Sequence, residues 1–183
     1  MEVSRFLLIA LGLTICAVIF QVIGLASPYW MFIDTTEDKS VFGLWKACGE
    51  LISTGDYKCS DVEGFARKND WFKAVRAMSI LGFLVLLVAA IMTGLKLFVL
   101  KDMKAVLFVA IGTAFAGAVF TLISIAVFAA KMNDLVDKSN VTTDFGYHFA
   151  FAFSIIGMIA AIGAGVIMLV EIRKGELYRN LSL

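Results

Sequence analysis

Four apolar runs, over about residues 6–26, 77–100, 105–130 and 149–170, dominate the chain and are separated by polar stretches. Each is long enough to cross the ~30 Å hydrocarbon core of a bilayer, which takes about 20 residues of helix. The pattern changes between the first two runs. Residues 29–34 alternate apolar and polar side chains, residues 41–45 hold β-branched and aromatic ones, and Ser53-Thr54-Gly55-Asp56 reads as a turn before Tyr57-Lys58-Cys59. These features predict antiparallel strands lying over helix ends. The expected fold class is an all-α membrane bundle of four transmembrane helices with a small extracellular antiparallel β-sheet. Loops fall at 27–76 and 131–148, a tight basic turn joins the second and third helices, and a tail begins at 171. One membrane domain accounts for residues 1–183.

Composition narrows the function classes. Apolar residues make up 61% of the chain, charged residues 17%, and mean hydropathy is +0.91, which excludes an ordinary soluble enzyme. A net charge of +1 argues against nucleic acid as a partner. The first run exceeds the ~7–15 residues of a signal-peptide core, and Pro28 follows the conceivable cleavage site Leu25-Ala26-Ser27, so it reads as a retained helix.

Lys and Arg residues number 7 on the side of the termini and 9 on the side of the loops. The raw count points one way and the density the other. The 7 sit in short segments beside helix ends, whereas the loops spread their 9 among 11 of the 15 acidic residues. Short juxtamembrane segments govern orientation, so both termini are expected in the cytosol of a multi-pass plasma-membrane protein. Two loop cysteines and an Asn140-Val141-Thr142 sequon agree with an oxidising outer face, and Asn140 is the expected glycosylation site. Asn180-Leu181-Ser182 is also a sequon, but a cytosolic one on this topology.

Small residues recur at packing spacing in the fourth helix (Gly157, Ala161, Gly165) and the third (Gly112, Ala116, Gly117), which lets backbones approach closely. Gln21 is the most polar residue deep in a span and is expected to act as polar glue between helices. Lys96, Lys131 and Glu171 lie near span ends, where long side chains reach headgroups. Cys48 and Cys59 flank the loop turn, so a hairpin brings them into disulfide range; Cys16, within the first helix, cannot join them. A zinc site is a poor rival, because the only histidine, His148, belongs to another segment. No nucleophile and base pairing, phosphate loop or acidic metal cluster is present in sequence, so neither catalysis nor a cofactor or metal is expected.

Trp30, then Gly43-Leu44-Trp45, Cys48 and Cys59 resemble the W, GLW, C, C signature of the claudin superfamily, which includes the peripheral myelin, epithelial membrane and lens fibre membrane proteins. Asn69-Asp70-Trp71-Phe72-Lys73-Ala74-Val75-Arg76-Ala77 looks like the start of helix 2 in the myelin and epithelial group, and Phe145-Gly146-Tyr147 resembles that group's approach to helix 4. The resemblance spans the chain at the level of topology and is motif-deep only in these stretches. It implies a claudin-like fold in which Trp30 and the Gly43, Leu44, Trp45 positions anchor the sheet to the bundle. Arg76 matches a position that serves as a sheet-to-helix clasp or a headgroup contact. The charges Asp61, Glu63, Arg67, Lys68, Asp70 and Lys73 occupy the stretch that lines ion pathways in pore-forming claudins, and their mixed signs fit a solvated contact face better than a selective pore.

The chain departs from strand-forming claudins in lacking the second-loop proline and aromatic pattern, the juxtamembrane cysteine pairs and the terminal Tyr-Val. Its spacing from Trp30 to Gly43 is shorter, which leaves less loop for a paracellular pore. The implied role is cell-cell adhesion or junction organisation through the extracellular sheet. The alternatives are an auxiliary subunit of an ion channel or receptor, and a paracellular ion pore or barrier component. Partners would be the lipid bilayer, further copies of the chain or other membrane proteins in cis or trans, and a cytosolic PDZ scaffold reading Leu181 and Leu183 by strand addition.

Overall fold

The computed structural model describes residues 5–35, 38–51, 56–100, 103–138 and 144–181. In chain order the elements are α1 (Arg5–Ala26), β1 (Met31–Asp34), β2 (Asp38–Phe42), β3 (Lys46–Leu51), β4 (Tyr57–Asp61), α2 (Glu63–Lys68), α3 (Asp70–Phe98), α4 (Lys104–Lys138), β5 (Asp144–Tyr147) and α5 (Phe149–Leu181). Four of the helices are long and apolar enough to cross a membrane. Their outward surface is apolar too, with Ile9, Ile19, Leu84, Ile91, Phe108, Ile159 and Val166 all exposed, as a lipid-facing bundle requires.

The helices begin and end differently from the apolar runs. α3 starts at Asp70, not at residue 77, and α4 continues to Lys138, not to 130. In both places the residues become polar on one side only. Phe72, Val75 and Ser79 stay buried on α3, and Phe128 and Met132 on α4, so the 3.6-residue period outlives the continuous hydrophobicity. The loop at 27–76 therefore contains α2 and the first turns of α3, and the loop at 131–148 is half helix and also supplies a strand. The tail from 171 continues α5 as helix to Leu181.

The five strands form one antiparallel sheet in the order β4-β3-β2-β1-β5. β5 comes from the second loop and pairs with β1, Met31 opposite Tyr147 and Ile33 opposite Phe145. β2 closes at Phe42, so Gly43, Leu44 and Trp45 form the connection to β3 and not the end of a strand.

Within the bundle α1 packs chiefly on α5, and α3 on α4. Small residues make both seams close. A Cβ at Gly157 would sit 3.2 Å from the Ala17 carbonyl of α1, and one at Gly117 would sit 2.6 Å from Leu86 Cγ and 3.3 Å from the Gly82 carbonyl of α3. Gly165 receives the Phe115 ring, whereas Gly112 has nothing within 4 Å and takes no part. A polar tie between α3 and α4 is Ser79 to Ser124, 2.6 Å apart, with Ser124 donating also to the Val75 carbonyl at 3.1 Å. Gln21 is buried on α1, and its Oε1 has no partner among the described residues. Lys96 is also buried, folding back so that its ammonium donates to the Met103 carbonyl across the α3–α4 turn.

Candidate interaction surface

A helix ends with carbonyls that have no partner on the next turn, and near a bilayer each must find a donor. At the end of α1 the Ile23 carbonyl takes the Ser27 N–H at 3.0 Å. The next two carbonyls are taken by tryptophans. Trp30 donates its indole N–H to Gly24 O at 2.6 Å, and Trp45 donates to Leu25 O at 2.8 Å. Trp30 is buried, packed edge-on against Phe128 of α4 and Phe151 of α5 with centroids 4.8 and 5.8 Å away. The two indoles thus fasten the sheet and its connecting turn to three helices.

The turn holding Trp45 is shaped by its neighbours. A Cβ at Gly43 would overlap the Pro28 Cα and lie 2.7 Å from the Ser27 carbonyl, so only glycine lets the turn approach the chain leaving α1. Leu44 is fully buried in the core beneath the sheet, with Trp30, Met31 and Phe72. Its carbonyl accepts from Arg76 Nε at 2.7 Å, while Arg76 Nη1 meets Glu63 Oε1 at 3.0 Å. The guanidinium carbon also lies 4.7 Å from the Trp45 ring centroid and 5.0 Å from that of Phe72. Arg76 is accordingly a clasp between the β2–β3 turn, α2 and α3, held by cation–π stacking as well as hydrogen bonds.

Cys48 and Cys59 stand directly opposite in the β3–β4 register and are joined by a disulfide, while Cys16 is free on the exposed side of α1. Strand alternation then sorts the sheet into two faces. Met31, Ile33, Phe42 and Ala47 point towards the helices and join the core there. Phe32, Val41, Cys48 and Cys59 point away, in one cross-strand row. Asp34, Lys39, Glu50 and Tyr57 form the next row on the same outer face.

The charged stretch after the disulfide is divided by the fold. Asp61 ends β4 opposite Lys46 on the outer face. Glu63 is committed to Arg76 and so belongs to the clasp. Arg67 and Lys68 are exposed on the last turn of α2, and Asp70 pairs with Lys73 at 2.8 Å, which lowers the Asp70 carboxyl below its usual range. Asp134 is lowered in the same way by Lys138 on the outer extension of α4. Asn140 lies outside the described residues, as do Ser182 and Leu183. Leu181 is still helical, so strand addition to a PDZ groove would need the last turn of α5 to unwind.

Sequence reasoning missed the outer row of Asp34, Lys39, Glu50 and Tyr57, and the approach of Tyr29 and His148 to it. The alternation of Phe32 and Asp34 was visible, but which residues of β2, β3 and β4 stood beside them depends on register. His148 reaches this surface because β5 carries it there, its backbone N–H bonding Trp30 O at 2.9 Å and its ring lying 5.1 Å from that of Tyr29. Among the described residues no group of three His, Cys, Asp or Glu side chains could hold a metal. The arrangement is a stiff, disulfide-braced platform with a mixed-charge outer face, suited to contact.

Comparison with known proteins agrees with this architecture. The chain is 26% identical to epithelial membrane protein 3 of Mus musculus over 176 residues, covering 94% of this chain and 99% of the mouse protein. It is 25% identical to epithelial membrane protein 3 of Rattus norvegicus over the same span and coverage. The model of the PMP-22/EMP/MP20/Claudin family matches residues 3–168. A four-helix membrane bundle, a sheet clamped by Trp30 and the Gly43-Leu44-Trp45 turn, and a Cys48–Cys59 bridge thus accompany that match, and the chain belongs to the PMP-22/EMP/MP20/Claudin family.

Proposed function

We propose that this chain is a plasma-membrane protein with cytosolic termini that acts in cell-cell adhesion or junction organisation, its sheet outside the cell touching further copies or other membrane proteins. The observation that carries this reading is the rigid fastening of the sheet by Trp30, Trp45 and Arg76, because a platform held at several points presents its outer face with little entropy left to lose on contact. Asp61, Arg67, Lys68 and Asp70 are the proposed contact residues. Glu63 enters only through Arg76.

The test is imaging of tagged protein in cell pairs. Enrichment at the boundary only where both cells express the chain supports adhesion in trans. Even distribution, with co-purification of a channel or receptor, replaces adhesion with the auxiliary-subunit role, and a conductance across the cell sheet replaces it with a pore. Topology is tested separately: a glycosidase-sensitive mobility shift lost in Asn140→Gln supports the outer loops, and a shift that requires Asn180 overturns the orientation.

A further inference from the structure

The outer face of the sheet is not flat. It carries an open concavity of about 370 Å³, within the ~300–1,000 Å³ range of small-ligand sites. Phe32, Val41 and Cys48, the apolar row of the outer face, lie along its floor. Beside that floor Asp34, Lys39 and Glu50 occupy successive strands in register, so their charges alternate at cross-strand spacing, roughly 5 Å between Cβ atoms. Among the described residues none of the three forms an ion pair within 4 Å. They are charged groups lining a concave site, each beside an opposite charge on the neighbouring strand but, among the described residues, not closed into a short ion pair.

Aromatic groups stand on two sides of the same cavity. Tyr29 and Phe32 lie against His148, with centroids 5.1 and 6.4 Å away. Tyr57, on the far strand, continues the charged row next to Glu50. Interaction with the Tyr29 side chain, together with partial desolvation and the Glu50 carboxylate, holds the Tyr57 phenol above the usual range. Tyr57 is 55% exposed and takes no part in the core, so its position is not explained by packing. Aromatic faces beside a carboxylate are the surroundings that an alkylated ammonium group prefers, through cation–π attraction. Lys39, one strand away from Glu50, offers a point charge to an anion.

We propose that this cavity is a binding site for a small zwitterion of the phosphocholine type, its ammonium group against Tyr29, Tyr57 and Glu50 and its anionic group on Lys39. The same chemistry is available from a free solute and from a choline lipid headgroup. The site lies on the face that the adhesion reading presents for contact, but it needs no second cell and uses none of the proposed contact residues.

The experiment uses the full chain in nanodiscs of phosphatidylglycerol, with saturation-transfer NMR on the N-methyl protons of added phosphocholine. Saturable binding is expected, with choline and inorganic phosphate each about tenfold weaker or more. Tyr57→Ala and Glu50→Gln weaken both phosphocholine and choline by about tenfold, whereas Tyr57→Phe, which keeps the ring, does not. Lys39→Ala weakens phosphocholine and leaves choline unchanged. An unchanged melting temperature and an intact Cys48–Cys59 bridge show that the variants are folded. Nanodiscs doped with phosphatidylcholine compete if the lipid headgroup reaches the site and fail to compete if only the free solute does; either result supports the site. Absence of saturable binding, or binding that survives Tyr57→Ala, Glu50→Gln and Lys39→Ala together, overturns it.

Discussion

Trp30 and Trp45 cap adjacent carbonyls of one helix end: their indole N–H groups reach Gly24 O and Leu25 O at 2.6 and 2.8 Å. Fifteen positions separate them in sequence, yet they finish the same turn of α1. The two tryptophans of the signature are thus hydrogen-bond donors to the backbone as much as interfacial rings.

The donor and the ring can be separated experimentally. Trp30→Phe keeps much of the apolar volume but leaves Gly24 O unpaired, and is expected to destabilise by about 1–3 kcal/mol. Trp30→Ala adds a cavity under Phe128 and Phe151 and is expected to lose about 3–5 kcal/mol, with poor delivery to the cell surface. Thermal melting in detergent and surface biotinylation measure the two. Equal effects of Phe and Ala would show that the ring is dispensable and only the N–H matters.

Arg76 offers a second test, because its donors serve different partners. Arg76→Lys has no fork to reach both Leu44 O and Glu63, and should lower stability with the positive charge intact. Glu63→Gln should cost less, since Glu63 is partly in water and the Leu44 bond remains. The swapped pair Arg76→Glu with Glu63→Arg should not restore stability, because a carboxylate cannot donate to Leu44 O. Recovery in that double variant would reduce the clasp to a simple ion pair.

Glycines of the chain divide by what surrounds them. Gly43→Ala drives a methyl group into the Pro28 and Ser27 backbone and is expected to open the turn that holds Leu44 and Trp45, lowering the melting temperature sharply. Gly112→Ala meets nothing within 4 Å and is expected to be neutral or to stabilise α4 by up to about 1 kcal/mol. A tolerated Gly43→Ala would mean that the turn can shift without loosening the sheet.

Tyr57 should be visible in alkaline titration. Its folded-state value is raised above the ~10 of a free phenol, so its contribution is fully present below that pH and is lost as pH rises through the folded value. Absorbance of phenolate should show a late-ionising tyrosine that Tyr57→Phe removes. Were the late component to persist in that variant, the link to Tyr29 and Glu50 would be wrong.

The membrane spans were legible because a bilayer demands an unbroken apolar run, and residues 6–26 carry one. The helix ends were not. Asp70, Lys73, Lys131 and Asp134 interrupt the apolar runs while Phe72, Val75, Phe128 and Met132 keep the buried face intact, so only the helical period would have located the ends of α3 and α4. The disulfide was legible from the turn between Cys48 and Cys59, since a hairpin fixes local register. β5 was not, because four residues from the second loop gain their meaning only from β1, which lies more than a hundred positions earlier. The outer row and its cavity depend on that same distant register, and so stayed hidden.

The pairing of β1 with β5 also sets a schedule. β1 leaves the ribosome early and can pair with β2 at once, but its other edge waits until residue 144 has been made and α4 has already crossed the membrane. At about 5–20 residues per second this is a delay on the order of ten seconds, during which an open strand edge faces whatever shares the compartment. A nascent chain halted before β5 would keep that edge permanently. Completion of the sheet thus reports that the first three spans have been threaded, and an unfilled β1 edge is the feature by which a copy halted before β5 differs from a finished one.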